Sequence, residues 1–229
     1  MRNVFNNNNK FFMSWRDLVI TPFVQIGIIG FSVFVVLLFR KKLSMDLLVS
    51  FIIFFIVLQI ISILFIRLVL FFYPLKSGIC RLNNDLSSYI WSLVSFIAIS
   101  HLFLLYTNIL IPPPLRKLFY QCLGAKIAPG LSIISGKILD PYLVTIGKNV
   151  IIGEEVLITS HAISTGNMLF LGKIKINDNA IIGIRSIIMP DVVIGENSLI
   201  KPGSIVQTGS RIPSHEVWGG NPARKIDNL

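Results

Sequence analysis

Three histidines are the candidate proton-transfer groups of this chain: His101, His161 and His215. Imidazole has a reference pKa of about 6.5, so it can accept a proton from an attacking hydroxyl or amine at neutral pH. His161 is the candidate general base, because it ends one run of a repeat and begins an interruption of that repeat. His215 lies in a turn-like IPSHEV segment and is interpreted as a surface residue. His101 lies inside an apolar stretch, where a hydrogen bond to a neighbouring helix and a role in substrate binding both remain open.

The repeat that must position His161 is a run of hexapeptides. From Ile176 to Arg211 the chain reads INDNAI, IGIRSI, IMPDVV, IGENSL, IKPGSI and VQTGSR, each beginning with Ile or Val and carrying Ala, Ser or Val fifth. An earlier run has the same phase and ends at His161, and residues 162–172 break the phase. A six-residue period of this kind predicts a parallel β-helix. The break predicts a loop on a rigid scaffold, which is a common location for function.

The N-terminal half is apolar enough for a membrane. Mean hydropathy over the chain is +0.74, and three stretches, 19–39, 47–73 and 89–111, contain no Asp, Glu or Lys and at most one Arg or His. Each stretch is long enough to cross a hydrocarbon core of about 30 Å as a helix. The first is too long for a signal peptide, and no small-residue cleavage site follows it. Arg67, inside the second stretch, is expected to extend towards the interface.

These patterns divide the chain into four regions. Residues 1–16 form a polar leader, and residues 17–111 form a membrane region with about three transmembrane helices. Residues 112–124 form a linker, in which three prolines end the last helix and an amphipathic segment follows along the bilayer surface. Residues 125–229 form the β-helix. The predicted fold class is therefore N-terminal transmembrane α-helices followed by a C-terminal all-β solenoid.

Charge is concentrated beside the apolar stretches. The net charge is +10, and residues 1–117 hold 11 Lys and Arg against 3 Asp and Glu. This distribution favours contact with anionic lipid headgroups over nucleic-acid binding. With three spans, five basic residues fall on each side of the membrane, so the positive-inside rule does not fix the orientation. Cys80 and Cys122 lack metal-ligand spacing and are expected as unpaired thiols on opposite sides of the membrane.

Residues 120–229 resemble the hexapeptide-repeat, left-handed β-helix acyltransferases, and in particular bacterial O-acetyltransferases. The resemblance is carried by the repeat, by the run DPYLVTIGKNVIIGEEVLITSH that ends at His161, and by the closing GGNPARKI element. It implies a homotrimer that binds acetyl-CoA, or another acyl-CoA, in a groove between neighbouring left-handed β-helices. It also implies that His161 is the catalytic general base. Since no Ser-His-Asp set or nucleophilic cysteine is evident, we expect direct attack of the acceptor on the thioester.

The predicted acyl-CoA site combines cations for the phosphates, glycines for close backbone approach, an aromatic ring for the adenine, and the closing element. Its members are Gly183, Lys201, Gly203, Ser204, Arg211, Trp218, Gly219, Gly220, Pro222, Ala223 and Arg224. Surface solvation and turn formation are alternative roles for these residues. Glu154 or Glu155 is a candidate to orient His161, although the acidic partner stays open. No metal is expected.

The sequence thus favours an integral membrane acyltransferase of a bacterial-type inner membrane. Its expected acceptor is a membrane-associated molecule such as a lipid-linked sugar or a surface-glycan precursor. Acyl-CoA is cytoplasmic, so the β-helix is expected in the cytoplasm and, with three spans, the N-terminus on the other side. Three alternatives remain: a non-catalytic membrane scaffold, a transferase using a longer acyl-CoA or acyl carrier protein, and a zinc carbonic anhydrase. The last requires three histidine ligands, and the β-helix contains two histidines.

Overall fold

The chain folds into a helical unit and a β-helical unit. The structure, a computed structural model, describes residues 15–44, 46–82, 84–102, 111–164 and 166–228. The first compact unit comprises Met1–Leu75 and Arg81–Phe103, and the second comprises Lys76–Cys80 and Leu104–Leu229. The second unit therefore includes a short piece of the chain that lies between two helices of the first.

The helical unit begins with a π-helical segment, Arg16–Ile20, that continues into α1 (Thr21–Leu43) and is followed by α2 (Leu47–Phe72) and α3 (Leu86–His101). The helix Arg16–Leu43, of 28 residues, and α2, of 26, are long and apolar enough to cross a membrane. The described part of α3 has 16 residues. The rest of the predicted third span includes residues 103–110, which lie outside the described residues, so the three-span organisation stays a prediction.

Polar side chains inside the helical unit are hydrogen-bonded between helices. Ser62 Oγ of α2 and His101 Nδ1 of α3 lie 2.9 Å apart, and both residues are buried. Nearby, Gln25 Nε2 of α1 donates to Ser100 Oγ at 3.1 Å. Such pairs satisfy polar groups that would otherwise face apolar surroundings. The contact with Ser62 supports the structural interpretation of His101.

Among the described residues, the β-helical unit contains eighteen short strands, a 3-10 turn at Pro141–Leu143 and the helix α4 (Pro113–Cys122). The strands are β1 (Gly78–Arg81), β2 (Lys126–Ile127), β3 (Ile133–Ile134), β4 (Lys137–Leu139), β5 (Val144–Ile146), β6 (Ile151–Ile152), β7 (Leu157–Thr159), β8 (His161–Ser164), β9 (Met168–Leu171), β10 (Ile174–Ile176), β11 (Ile181–Ile182), β12 (Ile187–Ile188), β13 (Val193–Ile194), β14 (Leu199–Ile200), β15 (Ile205–Val206), β16 (Arg211–Ile212), β17 (Glu216–Gly219) and β18 (Arg224–Asn228).

Five coils stack into a left-handed parallel β-helix with three faces, which confirms the predicted fold of the C-terminal half. Face A contains β2, β5, β10, β13 and β16; face B contains β3, β6, β11, β14 and β17; face C contains β4, β7, β12 and β15. On each face, neighbouring strands pair in parallel with equivalent hexapeptide positions aligned, for example Ile176 with Ile146 and Ile182 with Ile200. At the C-terminal end, β18 pairs antiparallel with β17.

The core is the inside of the coil. The aliphatic residues that begin the hexapeptides are at most 3% exposed, from Ile146 to Ile212, and most of the small fifth residues are equally buried. The fourth residue adopts a positive φ at turn after turn, as at Asn149, Asn179 and Asn197. Asparagine and glycine tolerate this left-handed conformation best, which accounts for their frequency at this position.

Helix α4 covers the first coil. Arg116 Nη1 donates to Ser135 O at 2.7 Å, and the fully buried Tyr120 hydroxyl donates to Gly136 O and accepts from Ile138 N–H, both at 3.2 Å. Burial raises the pKa of Tyr120 to about 12. The linker predicted to lie along the bilayer therefore buries one side against the end of the β-helix, whereas its other side, with Leu118, is exposed.

The interruption after His161 is an antiparallel hairpin of β8 and β9, in which His161 lies opposite Leu171. A third strand, β1, pairs with β9 from its other side. Cys80 of β1 has its Sγ 3.8 Å from Leu169 O. Cys80 and Cys122 both belong to the β-helical unit, which does not agree with their expected separation on opposite sides of the membrane.

Candidate active site

His161 forms a close pair with a carboxylate that the sequence analysis did not select. His161 Nδ1 lies 2.6 Å from Asp140 Oδ2. The carboxylate side chain is 3% exposed and the imidazole 22% exposed. The other carboxylate oxygen, Asp140 Oδ1, accepts a hydrogen bond from the Tyr142 hydroxyl at 3.1 Å. The pair therefore combines a buried, oriented carboxylate with a histidine that solvent can reach.

Coil stacking brings these residues together although they are 21 positions apart. Strands β4 and β7 pair on face C with Leu139 opposite Thr159, so the residues that follow each strand meet at the corner between faces C and A. Asp140 has a φ of 57° and starts a short 3-10 turn, Pro141–Leu143, that lengthens this coil. Aspartate tolerates the left-handed conformation better than most residues, which suits it to this turn.

The contact with Asp140 determines which ring nitrogen of His161 carries the proton. A carboxylate can only accept a hydrogen bond, so Nδ1 carries the proton in the neutral ring and Nε2 carries the lone pair. Nε2 is then the ring atom that is available to accept a proton. A carboxylate at this distance stabilises a protonated imidazole ring. Thr159 Oγ1 fixes the local backbone by donating to His161 O at 2.8 Å.

The acidic residues considered from the sequence have other roles. Glu155 Oε2 lies 2.6 Å from Arg185 Nε, and both side chains are mostly exposed. Glu155 also occupies a left-handed turn position, with a φ of 56°. Glu154 is exposed in the same turn. The carboxylate that orients His161 is therefore Asp140, the first residue of the sequence run that ends at His161.

Most of the predicted acyl-CoA residues meet at one corner, between faces B and C of the last three coils. Gly220 N–H donates to Ser204 Oγ at 3.3 Å, and Ala223 N–H donates to Ile205 O at 2.8 Å. The corner contains Gly183, Lys201, Gly203, Ser204, Gly219, Gly220, Pro222 and Ala223. Trp218 and Arg224 flank it on β17 and β18. The site role of these residues stays a prediction.

Several of these residues also have clear packing roles. Ser204 is fully buried and its hydroxyl donates to Lys201 O at 2.6 Å. A Cβ added at Gly183 would lie 2.5 Å from Pro202 N, and one at Gly219 would lie 2.7 Å from Ile226 Cδ1. Gly203 instead has a φ of +69° with open space around it. Gly183 and Gly219, at least, thus allow a neighbouring segment of the chain to pack closely against the backbone.

The charged and aromatic members differ in how they are held. Trp218 Nε1 donates to Glu216 Oε2 at 2.7 Å, and Lys225 Nζ lies 2.6 Å from Glu216 Oε1. The hydrogen bond from Lys225, followed by the one from Trp218, lowers the pKa of the Glu216 carboxyl. Lys201 and Arg224 have exposed side chains at or beside the corner, positions suited to contacting phosphate.

Arg211 lies apart from the other predicted cofactor residues. It begins β16, just after the corner between faces C and A that also carries His161. Its guanidinium contacts Asp191, with Nη2 2.9 Å from Oδ1. Within one chain the predicted site residues therefore occupy two corners of the β-helix, with face C between them.

Metal coordination finds no support in the part of the chain that the structure describes. Within residues 15–44, 46–82, 84–102, 111–164 and 166–228, no three His, Cys, Asp or Glu side chains are placed to hold a metal ion. His161 is bonded to Asp140, and His215 occupies an exposed turn of the last coil. This arrangement does not fit the three-histidine zinc site of the carbonic anhydrase alternative.

Comparison with known proteins identifies the repeat. Residues 173–208 match the family model described as bacterial transferase hexapeptide (six repeats). The chain is 30% identical over 114 residues to gamma carbonic anhydrase 2 of Arabidopsis thaliana mitochondria, covering 49% of this chain and 41% of that protein. It is 28% identical over 115 residues to delta-poly-L-ornithine synthetase of Acinetobacter baumannii, covering 50% of this chain and 9% of that protein. The chain thus spans less than half the length of each.

A solved structure with the same kind of repeat is a hexapeptide-repeat acetyltransferase of Vibrio cholerae complexed with acetyl coenzyme A. It is 23% identical, with a TM-score of 0.44, and the match covers 53% of this chain and 80% of that one. Residues 173–208 match a family model for hexapeptide repeats, and the C-terminal half of this chain is a left-handed β-helix whose strands follow the hexapeptide period.

Proposed function

We propose that this protein is a membrane-anchored acyltransferase that moves an acyl group, in the first instance acetyl, from coenzyme A to a hydroxyl or amine. The observation that carries the proposal is the 2.6 Å contact between His161 Nδ1 and the buried Asp140 carboxylate. A histidine oriented in this way is built to accept a proton through Nε2. Its position beside a hairpin that leaves a rigid β-helix suits an active site.

The reaction follows from this geometry. The acceptor oxygen or nitrogen attacks the thioester carbonyl carbon while His161 Nε2 takes its proton, and a tetrahedral oxyanion forms. Collapse of that intermediate breaks the carbon–sulfur bond, and the imidazolium returns the proton to the departing thiolate. Asp140 stabilises the positive imidazolium between the two steps. Backbone N–H groups of the turns are the expected donors to the oxyanion.

The donor and the trimer rest on the resemblance to acyltransferases, on the family match of residues 173–208, and on the surface of the β-helix. The outward residues of face B form an apolar column, with Ile133, Ile151 and Ile181 46%, 41% and 41% exposed. An exposed apolar column of this kind favours burial against another subunit. Packing protomers side by side can bring the His161 corner of one towards the closing element of the next, so that acyl-CoA lies between them.

The acceptor is proposed to be a membrane-associated molecule, a lipid-linked sugar or a surface-glycan precursor. The support is the length and apolar composition of α1 and α2, which exceed what a single anchor needs. The β-helix then faces the cytoplasm, where acyl-CoA is found. If the enzyme, freed of lipid, modified a free soluble sugar at its full rate, the membrane acceptor would be ruled out.

Calorimetry with acetyl-CoA tests the donor. The full-length protein in detergent is titrated as wild type, His161→Ala and a matched control, His215→Ala. We expect micromolar binding in all three and transfer, measured as release of free coenzyme A thiol, to fall by about 10²- to 10⁴-fold in His161→Ala alone. Transfer that survives in His161→Ala would overturn the proposed base.

Two other outcomes point to the remaining alternatives. A folded wild-type protein that binds no acetyl-CoA but binds a longer acyl-CoA or an acylated carrier protein would change the donor and keep the mechanism. A protein that binds none of these and tolerates His161→Ala in the cell would be a scaffold.

A further inference from the structure

The connection between α2 and α3 contributes a strand to the active-site hairpin. Strand β1 pairs with β9, and the Cys80 side chain contacts the backbone of Leu169. Residues Lys76–Cys80 accordingly belong to the compact unit formed by the β-helix. This connection therefore lies on the same side of any membrane that α2 crosses as the β-helix itself.

The chain rejoins the β-helical unit after α3. Helix α4 belongs to that unit, and its Arg116 side chain donates to Ser135 O in the first coil. The stretch that contains α3 thus begins and ends on one side of the membrane, so it cannot cross the bilayer once. The described α3, with 16 residues, rises about 24 Å, less than the hydrocarbon thickness of about 30 Å.

We propose that α1 and α2 are the two membrane spans of the described chain and that α3 is a re-entrant helix, entering and leaving the bilayer on the β-helix side. The proposal rests on the membrane location in the proposed function and revises the expected third span. It also moves the N-terminus to the side that carries the β-helix, because two spans return the chain to its starting side.

Contacts inside the helical unit show how deep α3 reaches. Its last residue, His101, is bonded to Ser62, which lies ten residues before the end of α2 and so about 15 Å along that helix. The preceding Ser100 is bonded to Gln25, in the first turns of α1. Helix α3 therefore ends beside internal residues of α1 and α2, and the imidazole of the buried His101 is bonded to a neighbouring helix.

With two spans, the distribution of Lys and Arg predicts the orientation of the protein in the membrane. Seven Lys and Arg then flank the spans on the β-helix side, and three lie on the other side, at the end of α1. The seven are Arg2, Lys10, Arg16, Lys76, Arg81, Arg116 and Lys117, and the three are Arg40, Lys41 and Lys42. The positive-inside rule places the richer side in the cytoplasm. The orientation predicted from the Lys and Arg residues therefore agrees with the cytoplasmic location of acyl-CoA, an independent argument.

The topology narrows the acceptor class. A helix that enters and leaves from the cytoplasmic side is embedded chiefly in the cytoplasmic leaflet, and the strand preceding it belongs to the sheet of the His161 hairpin. The acceptor is therefore a lipid-linked molecule whose headgroup is displayed in the cytoplasmic leaflet, before any transfer across the membrane.

Thiol labelling in sealed proteoliposomes tests the topology. In a Cys80→Ser, Cys122→Ser background, single cysteines are introduced as Ser44→Cys, Asn84→Cys and Thr208→Cys and treated with a membrane-impermeant maleimide. These positions report the α1–α2 connection, the α2–α3 connection and the last coil of the β-helix. We expect Asn84→Cys and Thr208→Cys to react from one side and Ser44→Cys from the other. Detergent-opened vesicles show that each thiol is reactive.

Two results would overturn the proposal. If Asn84→Cys reacts from one side, and Ser44→Cys and Thr208→Cys both react from the other, the chain has three spans. If all three react from one side, α2 does not cross the membrane. Where a thiol reacts slowly even in detergent, cleavage of a protease site inserted between Asn84 and Asp85 gives the same information. The labelling uses no acyl-CoA, so its result does not depend on whether the proposed donor is correct. Acetyl-CoA binding, in turn, does not depend on whether the proposed topology is correct. The two proposals can therefore fail separately.

Discussion

At the scale of single residues, the proposed mechanism depends on the Asp140–His161 pair. Asp140→Asn keeps the size of the side chain but removes its charge and allows its amide to hold the imidazole in the wrong tautomer. We expect the transfer rate to fall about 100-fold or more, with acetyl-CoA affinity unchanged, because the carboxylate acts through His161. Steady-state kinetics and calorimetry on the same samples separate the two effects.

Glu155→Gln is the matched control for this substitution, since Glu155, like Glu154, was a candidate partner from the sequence and is bonded to Arg185 on the surface. Its transfer rate should stay within about twofold of wild type. Equal rates for Asp140→Asn and wild type would show that the 2.6 Å contact does not serve catalysis.

The sequence predicted His161 but not its partner, and the reason is geometric. His161 is visible because it lies where a regular repeat breaks. Three regular hexapeptides make an 18-residue coil, but the 3-10 turn after Asp140 lengthens its coil, and Lys137 pairs with Leu157, 20 residues on. Counting by the regular period therefore misses the stacked neighbour. Counting the coil with the extra residues of the inserted turn would have placed Asp140 next to His161 in the stacked coils.

At the scale of elements, the glycine at the second position of a hexapeptide is a packing requirement. Gly183→Ala would place a Cβ 2.5 Å from the Pro202 backbone nitrogen, so the neighbouring coil must shift. We expect the free energy of unfolding to fall by about 1–3 kcal/mol without any ligand present. Thermal unfolding followed by the β-sheet circular dichroism signal measures the loss.

The control for this substitution is Gln207→Ala, at the equivalent position of a later hexapeptide, where an exposed side chain is already accommodated. Its stability should be unchanged. If Gly183→Ala were as stable as wild type and lost acetyl-CoA affinity instead, the predicted cofactor role of Gly183 would be favoured over the packing role.

The helix α4 is attached to the β-helix through a buried phenol. Tyr120→Phe leaves Gly136 O and Ile138 N–H without their partner, and we expect a loss of about 1–3 kcal/mol. The pKa of Tyr120 is raised to about 12, so the folded protein keeps a proton that the unfolded chain loses above about pH 10. The contribution is thus complete below pH 10 and is lost as the pH rises through 12.

Unfolding experiments at pH 8 and at higher pH, on wild type and Tyr120→Phe, should therefore show a difference that shrinks at alkaline pH. Leu118→Ala, on the exposed side of the same helix, serves as the control and should change stability little. A constant difference across the pH range would contradict the role of the phenolic proton.

At the scale of the whole molecule, the sequence predicted the β-helix well and its attachments poorly. A period of six residues is a local signal, repeated in coil after coil, so the inward Ile and Val positions were identified correctly. Strand β1 lies about ninety residues from its partner β9 and contains only four residues, too few for any periodicity. Long-range pairing of so short a strand depends on the folded neighbours, and the proposed two-span topology rests on this pairing.

The residues that point outward from each face predict which face packs against a neighbouring protomer. The outward column of face B is aliphatic from Ile133 to Leu199, whereas the column of face A contains Lys126, Thr145, Lys175, Val193 and Arg211. Ile151→Glu would place a charge within the apolar column of face B, where burial of an unpaired carboxylate is costly. We expect wild type to be a trimer of 25.7 kDa chains in detergent and Ile151→Glu to be monomeric, as measured by light scattering.

Thr145→Glu places the same charge in the same coil but on face A, and it should leave the trimer intact. A trimer that survives Ile151→Glu and dissociates with Thr145→Glu would move the interface to face A. Since the two corners that carry His161 and the closing element are separated by face C within one chain, the monomeric variant should also lose transfer activity while its Asp140–His161 pair stays intact. Loss of trimer and activity together would show that the site is completed by a neighbouring protomer.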